Sequence, residues 1–309
     1  MATLERTPEG PLEAIVLAAG ELRAAFVPRA GMVGCSLTHR GEELLVQRGG
    51  LDAWRGKGKS FALPLLHPWA NRLPDWRYVA AGRAVTLDER LGVVHPDENG
   101  LPIHGALGAA EDWDVTDAGA GEASAWLHAQ LDYGRRDERL AAFPYRHTLE
   151  LDIRLEPSTL TIATTLQAGD EEVPLAFGWH PWLRLPGAER DDWIVEQPER
   201  TAIALDDREL PTGDEEPAPG EREPLGGRAL DDHSRVAEDA RFAIHGGGRS
   251  IAVEWLGGYR YAQVFAPHAI DTVCMEPMMA RTAALATGDD LHCAAPGERV
   301  TGSFRIVIE

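Results

Sequence analysis

The chain has 309 residues, of which 44% are hydrophobic and 26% are charged, and this balance excludes disordered and fibrous classes. A formal net charge of -20 at pH 7 repels phosphate backbones and anionic lipids, so we expect neither a nucleic acid nor a membrane as partner. Three cysteines without a C-x-x-C spacing, and no stretch of membrane-spanning length, predict a cytoplasmic protein.

Short alternating runs separated by turn residues predict a chain made mostly of strands. Successive apolar and polar residues place one face of a strand on a core and the other in water, which is typical of a sandwich. The clearest runs are residues 14–17, 22–27, 149–155, 160–166, 251–256, 261–265 and 304–308.

Residues 206–228 are rich in Asp, Glu, Pro and Gly and have almost no apolar periodicity. We predict a loop excursion here, within a single domain that covers residues 1–309. A domain linker is the alternative interpretation. The loop is favoured because strands with similar patterning resume beyond the segment and neither flank looks self-sufficient.

Four short segments, 68–72, 99–105, 177–182 and 275–277, combine turn-forming Gly or Pro with His, Arg or Glu and flanking aromatics. Loops at strand ends are where a rigid scaffold carries functional groups. Aromatic faces such as Trp69 and Trp182 can pack on a sugar ring while His, Asn and Arg bind its hydroxyls. Taken singly, each segment is ordinary, because a His before Pro is usually a turn residue and a Trp usually belongs to the core. Only the ordered set indicates a sugar site.

This ordered set resembles the aldose 1-epimerase, or galactose mutarotase, family over nearly the whole chain. The segments that carry the resemblance are Leu63–Arg72, Ile103–Gly105 with Trp113 downstream, His180–Trp182, Leu210–Gly213, Leu230–Asp232 and Met275–Pro277. The resemblance implies an all-β fold, a mutarotase-like β-supersandwich of large antiparallel sheets with the sugar cleft on a concave face.

The resemblance also implies roles for individual residues. Glu276 corresponds to the general base and His180 to the general acid. The groups that hold the sugar correspond to Asn71, Arg72, His104, Trp182 and Asp231. His67 begins a second His-Pro-Trp, but it falls at a variable position of the Asn-Arg signature, so we predict a structural role for it.

These residue types suit anomer exchange. A cyclic aldose is a hemiacetal, so opening its ring requires removal of a proton from the C1 hydroxyl and delivery of one to the ring oxygen. The predicted activity is therefore interconversion of the α and β anomers of a free hexose such as galactose or glucose. The expected partner is this small sugar, with no metal and no cofactor, and the sequence does not distinguish a monomer from a homodimer.

Three alternatives remain open. A hexose 6-phosphate epimerase would use Arg281 for the phosphate. A sugar-binding module without turnover is disfavoured, because a binder does not need the acid and base. A metal site made of His104, His180 and Glu276 is disfavoured, because the chain has no His-x-His pair.

Overall fold

The computed structural model describes residues 1–57 and 60–309, and strands dominate it. In chain order the strands are β1 (Thr3–Glu9), β2 (Leu12–Ala19), β3 (Leu22–Val27), β4 (Val33–His39), β5 (Glu42–Glu43), β6 (Leu65–Leu66), β7 (Arg77–Ala80), β8 (Arg83–Thr86), β9 (His95–Pro96), β10 (Pro102–Ile103), β11 (Asp114–Ala120), β12 (Ala125–Asp132), β13 (His147–Glu156), β14 (Thr159–Ala168), β15 (Val173–Pro174), β16 (Gly178–Trp179), β17 (Trp182–Leu183), β18 (Ile194–Gln197), β19 (Arg200–Leu205), β20 (Pro211–Ala218), β21 (Glu221–Pro224), β22 (Leu230–Arg235), β23 (Arg241–Gly246), β24 (Arg249–Gly257), β25 (Tyr261–Ala266), β26 (Val273–Met278), β27 (Cys293–Ala294) and β28 (Arg299–Ile308).

The helices are short. The α-helices are α1 (Gly50–Lys57), α2 (Asp137–Ala142) and α3 (Ala284–Thr287), and single 3₁₀ turns lie at Pro28–Ala30, Glu89–Leu91, Tyr133–Arg135 and Arg190–Asp192. Within residues 1–57 and 60–309, no helix is long and apolar enough to cross a bilayer.

Three antiparallel sheets form the body of the molecule. A nine-stranded sheet has the order β11-β12-β13-β14-β28-β24-β23-β18-β21, and a five-stranded sheet runs from β1 to β5. An eight-stranded sheet has the order β20-β19-β22-β25-β26-β16-β6, with β17 also paired to β26. The predicted all-β fold is confirmed, and each of the seven predicted runs lies within one of these strands.

The alternating pattern fixes which side chains enter the core. Along β14, every second residue is buried, so the strand packs one face inward over its whole length. The nine-stranded and eight-stranded sheets meet where Trp179 of β16 packs on Phe304 of β28, with ring centroids 5.9 Å apart. The Trp179 indole also donates to Thr164 Oγ1 of β14 at 2.9 Å. This packing holds β16 firmly, and β16 leads directly into His180.

The prediction of a loop at residues 206–228 is wrong. This segment contains β20 and β21, which are the outermost strands of the eight-stranded and nine-stranded sheets. Most residues of both strands are exposed. A strand with both faces in water shows no apolar alternation, and its charged residues protect an open sheet edge from pairing with other chains. The composition that predicted a loop therefore belongs to two solvated edge strands.

Candidate active site

A row of side chains crosses four strands of the eight-stranded sheet. Asp231 of β22 pairs with Phe265 of β25, and Phe265 pairs with Cys274 of β26. Cys274 in turn pairs with Trp182 of β17. Residues directly opposite each other in antiparallel strands project from the same face, so these four side chains share one surface of the sheet.

A second row lies two residues away on the same face. Gln263 of β25 pairs with Glu276 of β26. On one side of His180, Gly178 pairs with Met278, and on the other side Trp182 pairs with Cys274. These two pairs have the same register, which places His180 opposite Glu276. His180 Nδ1 lies 3.3 Å from Glu276 Oε1, and both side chains are almost fully buried. The sheet register thus brings the predicted acid and the predicted base together.

Two loops complete the site from outside this sheet. Arg72 pairs with Ile103 in an isolated bridge, and the backbone N–H of His104 donates to the carbonyl of Asn71 at 3.0 Å. Asn71 and His104 both adopt left-handed backbone conformations, with φ of 55° and 63°. Such a conformation costs about 1 kcal/mol or more for a residue with a Cβ, and these outliers cluster at functional sites.

Gly105 explains how closely the two loops approach. Its φ is 78°, and a Cβ at this position would lie 2.2 Å from the His67 carbonyl oxygen. Any side chain here would therefore push the loop that carries His104 away from the loop that carries Asn71 and Arg72.

The two rows and two loops surround one cavity with a volume of about 270 Å³. Every residue predicted to act on or hold a sugar lines it, namely Asn71, Arg72, His104, His180, Trp182, Asp231 and Glu276. The structure therefore brings the complete predicted set together, and the role of each residue stays a prediction.

Burial controls the charge of the acid/base pair. Removal from water raises the pKa of Glu276 well above its usual value, and the Asp231 charge adds to this, while Arg72 opposes it. Removal from water lowers the pKa of His180 well below its usual value, and the nearby His104 and Arg48 act in the same direction. The two shifts favour a pair that carries one proton and no net charge.

Aromatic contacts fix the orientation of the His180 ring. The imidazole stacks on Trp182 with centroids 4.7 Å apart and an interplanar angle of 11°. Phe265 meets the Trp182 ring edge-on at 5.9 Å, and the Arg48 guanidinium lies 4.5 Å from the centre of that ring. His104 approaches His180 edge-on at 5.3 Å. Burial lowers the pKa of His104 to about 3, so this ring is neutral near pH 7.

A polar network holds the groups opposite the pair. Asn71 Nδ2 donates to Gln263 Oε1 at 3.3 Å, and Gln263 Nε2 donates to Asp231 Oδ1. Burial raises the pKa of Asp231 to about 7, and the neighbouring Glu209 carboxylate contributes to this shift. Asp231 therefore changes charge close to neutral pH.

Sequence reasoning missed three residues that line or support this cavity. Gln263 interrupts an otherwise apolar run in β25, which was a usable signal for a polar role on the inner face. Asp97 accepts from Arg72 Nε at 2.6 Å, but it sits in a turn sequence with no distinguishing pattern. Arg48 reaches the cavity over Trp182, 134 positions later in the chain, and nothing local marks it.

His67 lies in the core and away from the cavity lining. Its Nε2 is 2.8 Å from His147 Nε2, and its ring packs against Tyr133, Phe143 and Phe177. This position is consistent with the structural role predicted for it.

The alternative residues of the sequence analysis are placed differently. Arg281 pairs with Glu215 at 3.2 Å and does not line the cavity. Over the described ranges, one set of possible metal ligands has donor atoms within 4.8 Å of one another, and it consists of His180, Cys274 and Glu276. This set contains Cys274 in place of the His104 of the alternative metal site.

Comparisons with known proteins identify the family and the fold. The family model for aldose 1-epimerase matches residues 13–307. No curated protein sequence matches the chain. Among solved structures, the chain is similar to a galactose mutarotase-like protein from Clostridium acetobutylicum, with a TM-score of 0.86, 18% identity, and coverage of 99% of this chain and 98% of that chain.

Two further solved structures show the same fold. One is galactose 1-epimerase from Lactobacillus acidophilus NCFM, with a TM-score of 0.76, 12% identity, and coverage of 100% and 98%. The other is an aldose epimerase homologue from C. elegans, with a TM-score of 0.74, 14% identity, and coverage of 100% and 99%. Because the family model spans nearly the whole sequence, this chain belongs to the aldose 1-epimerase family and is an isomerase that acts on carbohydrates.

Proposed function

We propose that this enzyme interconverts the α and β anomers of a free hexose, with galactose or glucose as the default substrate. The observation that carries the proposal is the buried Glu276–His180 pair, 3.3 Å apart, on the floor of a cavity lined by sugar-binding side chains.

The reaction needs two proton transfers in each direction. The Glu276 carboxylate removes the proton of the C1 hydroxyl, and the protonated His180 imidazole delivers a proton to the ring oxygen as the C1–O bond of the ring breaks. The open-chain aldehyde then rotates about its C1–C2 bond. Reclosure reverses both transfers on the other face and yields the opposite anomer.

The resting pair has to exchange its proton before the reaction, because burial favours protonated Glu276 and neutral His180, whereas ring opening starts from the Glu276 carboxylate and the His180 imidazolium. Ring opening leaves Glu276 protonated and His180 neutral, and these are the forms that the raised pKa of Glu276 and the lowered pKa of His180 favour. The total number of protons on the pair is the same before and after the transfer. Burial therefore favours the form of the pair reached after ring opening over the charged form that starts it, and each positioned proton transfer contributes about 10²–10⁴-fold.

The remaining lining groups suit a single sugar ring. Trp182 and Phe265 contribute apolar surface to the lining, whereas Arg72, His104 and Asp231 offer hydrogen-bonding groups. A cavity of about 270 Å³ lies just below the usual range of about 300–1,000 Å³ for small-molecule sites, which favours one small ligand over an oligosaccharide.

Arg48 favours a second candidate, an anionic sugar such as a hexose 6-phosphate. Arg48 is an exposed residue that lines the cavity, and its guanidinium lies over Trp182 and donates to the Ser60 carbonyl at 3.1 Å. In the part of the chain that the structure describes, no carboxylate lies within 4.0 Å of it. Arg281 is paired with Glu215 outside the cavity, so Arg48 is the better phosphate ligand of the two.

The test is NMR measurement of anomer exchange on a panel of free and phosphorylated hexoses. We expect at least one free hexose to exchange well above the buffer rate. A clear preference for the 6-phosphate, reduced in Arg48→Gln but not in the matched Arg281→Gln, would replace the first candidate with the second. Sugar binding without accelerated exchange of any substrate would favour the binding-module alternative.

We also propose a cytoplasmic location. Cys35 and Cys274 are buried free thiols, and Cys293 is a half-buried one. Free thiols suit a reducing compartment, in which disulfides are rare.

A further inference from the structure

The acid/base pair has a third donor atom beside it that the proposed reaction does not use. Cys274 and Glu276 are alternate residues of β26, so their side chains project from the same face of the sheet. His180 approaches from the neighbouring strand register. The His180 nitrogen, Cys274 sulfur and Glu276 oxygen all lie within 4.8 Å of one another, and all three residues are buried.

One of these donors lacks a hydrogen bond. His180 Nδ1 is buried and has no hydrogen-bond partner among the described residues, because Glu276 Oε1 at 3.3 Å is not aligned to accept from it. The His180 side chain is only 5% exposed. A buried ring nitrogen without a partner is free to offer its lone pair to an ion that enters from the cavity.

The donor set selects the kind of ion. Nitrogen, thiolate sulfur and carboxylate oxygen together are the ligands of Zn²⁺, and thiolate also favours Cd²⁺ over Mg²⁺ or Ca²⁺. Tetrahedral coordination at about 2.0–2.3 Å separates ligand atoms by roughly 3.3–3.8 Å. The His180–Glu276 separation of 3.3 Å already meets this spacing, and the Cys274 sulfur lies within 4.8 Å of both partners.

We propose that His180, Cys274 and Glu276 form an inhibitory site for a thiophilic divalent cation, Zn²⁺ or its analogue Cd²⁺. The ion occupies the nitrogen and oxygen that the acid/base chemistry requires, and a water fills the open fourth position. Binding releases two protons to solvent, one from the Cys274 thiol and the one carried by the His180–Glu276 pair. The inhibition rests on the proposed function, whereas the binding does not.

The binding experiment uses the chain with Cys35→Ser and Cys293→Ser, which leaves Cys274 as its only cysteine. Titration with Cd²⁺ should produce the ultraviolet sulfur-to-metal charge-transfer band with a stoichiometry of one. The same background with Cys274→Ser should show no band. No band in the first protein, or an equal band in the second, would overturn the proposal whether or not any sugar is turned over.

The activity experiment measures how strongly Zn²⁺ inhibits anomer exchange in the wild type and in each cysteine variant. Each rate is divided by the rate of the same protein without metal. Cys274→Ser should weaken inhibition at least about tenfold, whereas the matched Cys35→Ser and Cys293→Ser should leave it unchanged. Saturating sugar should raise the Zn²⁺ concentration needed, and a chelator should restore the rate. Equal inhibition in all variants would contradict the proposal, and exchange of no sugar at all would instead contradict the proposed function.

Discussion

The tripeptide His-Pro-Trp occurs twice in this chain, and its two copies have opposite environments. His67 contacts His147 and three core aromatic rings, while His180 contacts Glu276 across a sheet register and faces the cavity. Trp69 is buried in the core, whereas Trp182 lines the cavity beneath Arg48. The tripeptide alone therefore does not mark the site, because only the second copy has a carboxylate, that of Glu276, beside its histidine.

The largest expected difference between the two copies is in turnover. His180→Asn removes the acid and should lower kcat for anomer exchange by about 10²–10⁴-fold. His67→Asn should keep kcat of the folded protein within about threefold of wild type. NMR exchange rates on both variants check this, and an equal loss in a well-folded His67→Asn protein would show that the functional copy is misassigned.

Stability should show the reverse order. His67→Ala loses a buried hydrogen bond and several ring contacts and should lower the free energy of unfolding by about 2–4 kcal/mol. His180→Ala should cost less, because its Nδ1 has no hydrogen bond to lose and its ring borders a cavity. Urea denaturation of both variants measures the difference. A greater loss in His180→Ala would mean that the pair is a structural element of the core.

The two tryptophans extend the same contrast. Trp69→Leu opens a gap in the core and should lower the free energy of unfolding by about 2–4 kcal/mol with little change in KM. Trp182→Leu removes the surface on which His180 stacks, and it should lower kcat/KM about tenfold or more. Paired denaturation and exchange measurements test this, and the contrast fails if both variants lose stability and activity in the same proportion.

The smallest effect concerns pH. Because the folded-state pKa of Asp231 is raised to about 7, the stability linked to its proton is present below about pH 4 and is lost as pH rises to about 7. Asp231→Asn removes this loss. The free energy of unfolding of the variant should therefore be roughly 1–3 kcal/mol greater than that of wild type above pH 7, and the two should be equal near pH 4. Thermal unfolding at both pH values provides the measurement. A constant difference across pH would exclude titration of Asp231 as its cause.

Much of the fold could be predicted because a strand with one buried face has apolar residues at every second position of its sequence. Strands such as β13 and β14 alternate strictly between buried and less buried residues, and the sequence shows this directly. Edge strands β20 and β21 have no such alternation in their sequence, because both of their faces are in contact with water. Their polar composition is the same for a loop and for a solvated edge, so the sequence could not separate the two.

The site was predictable only where short motifs carried it. His180 and Glu276 stand in recognisable motifs, but their pairing depends on the register between β17 and β26, which no local pattern encodes. The position of Arg48 in the site depends on the tertiary contact between its guanidinium and Trp182. The position of Cys274 depends on its pairing with Trp182 in the neighbouring strand. Long-range register, and not residue type, is the information that the sequence pattern lacked.

The most direct test of the account is anomer exchange by Glu276→Gln. This change keeps the shape of the side chain and removes the base, so kcat should fall by roughly 10²-fold or more while KM changes little. Sugar binding, measured by calorimetry, should persist, and the rising limb that we expect Glu276 to produce in the wild-type pH–rate profile should be missing. A Glu276→Gln protein that exchanges anomers at a near wild-type rate would contradict the account, because Glu276 would then only position the sugar.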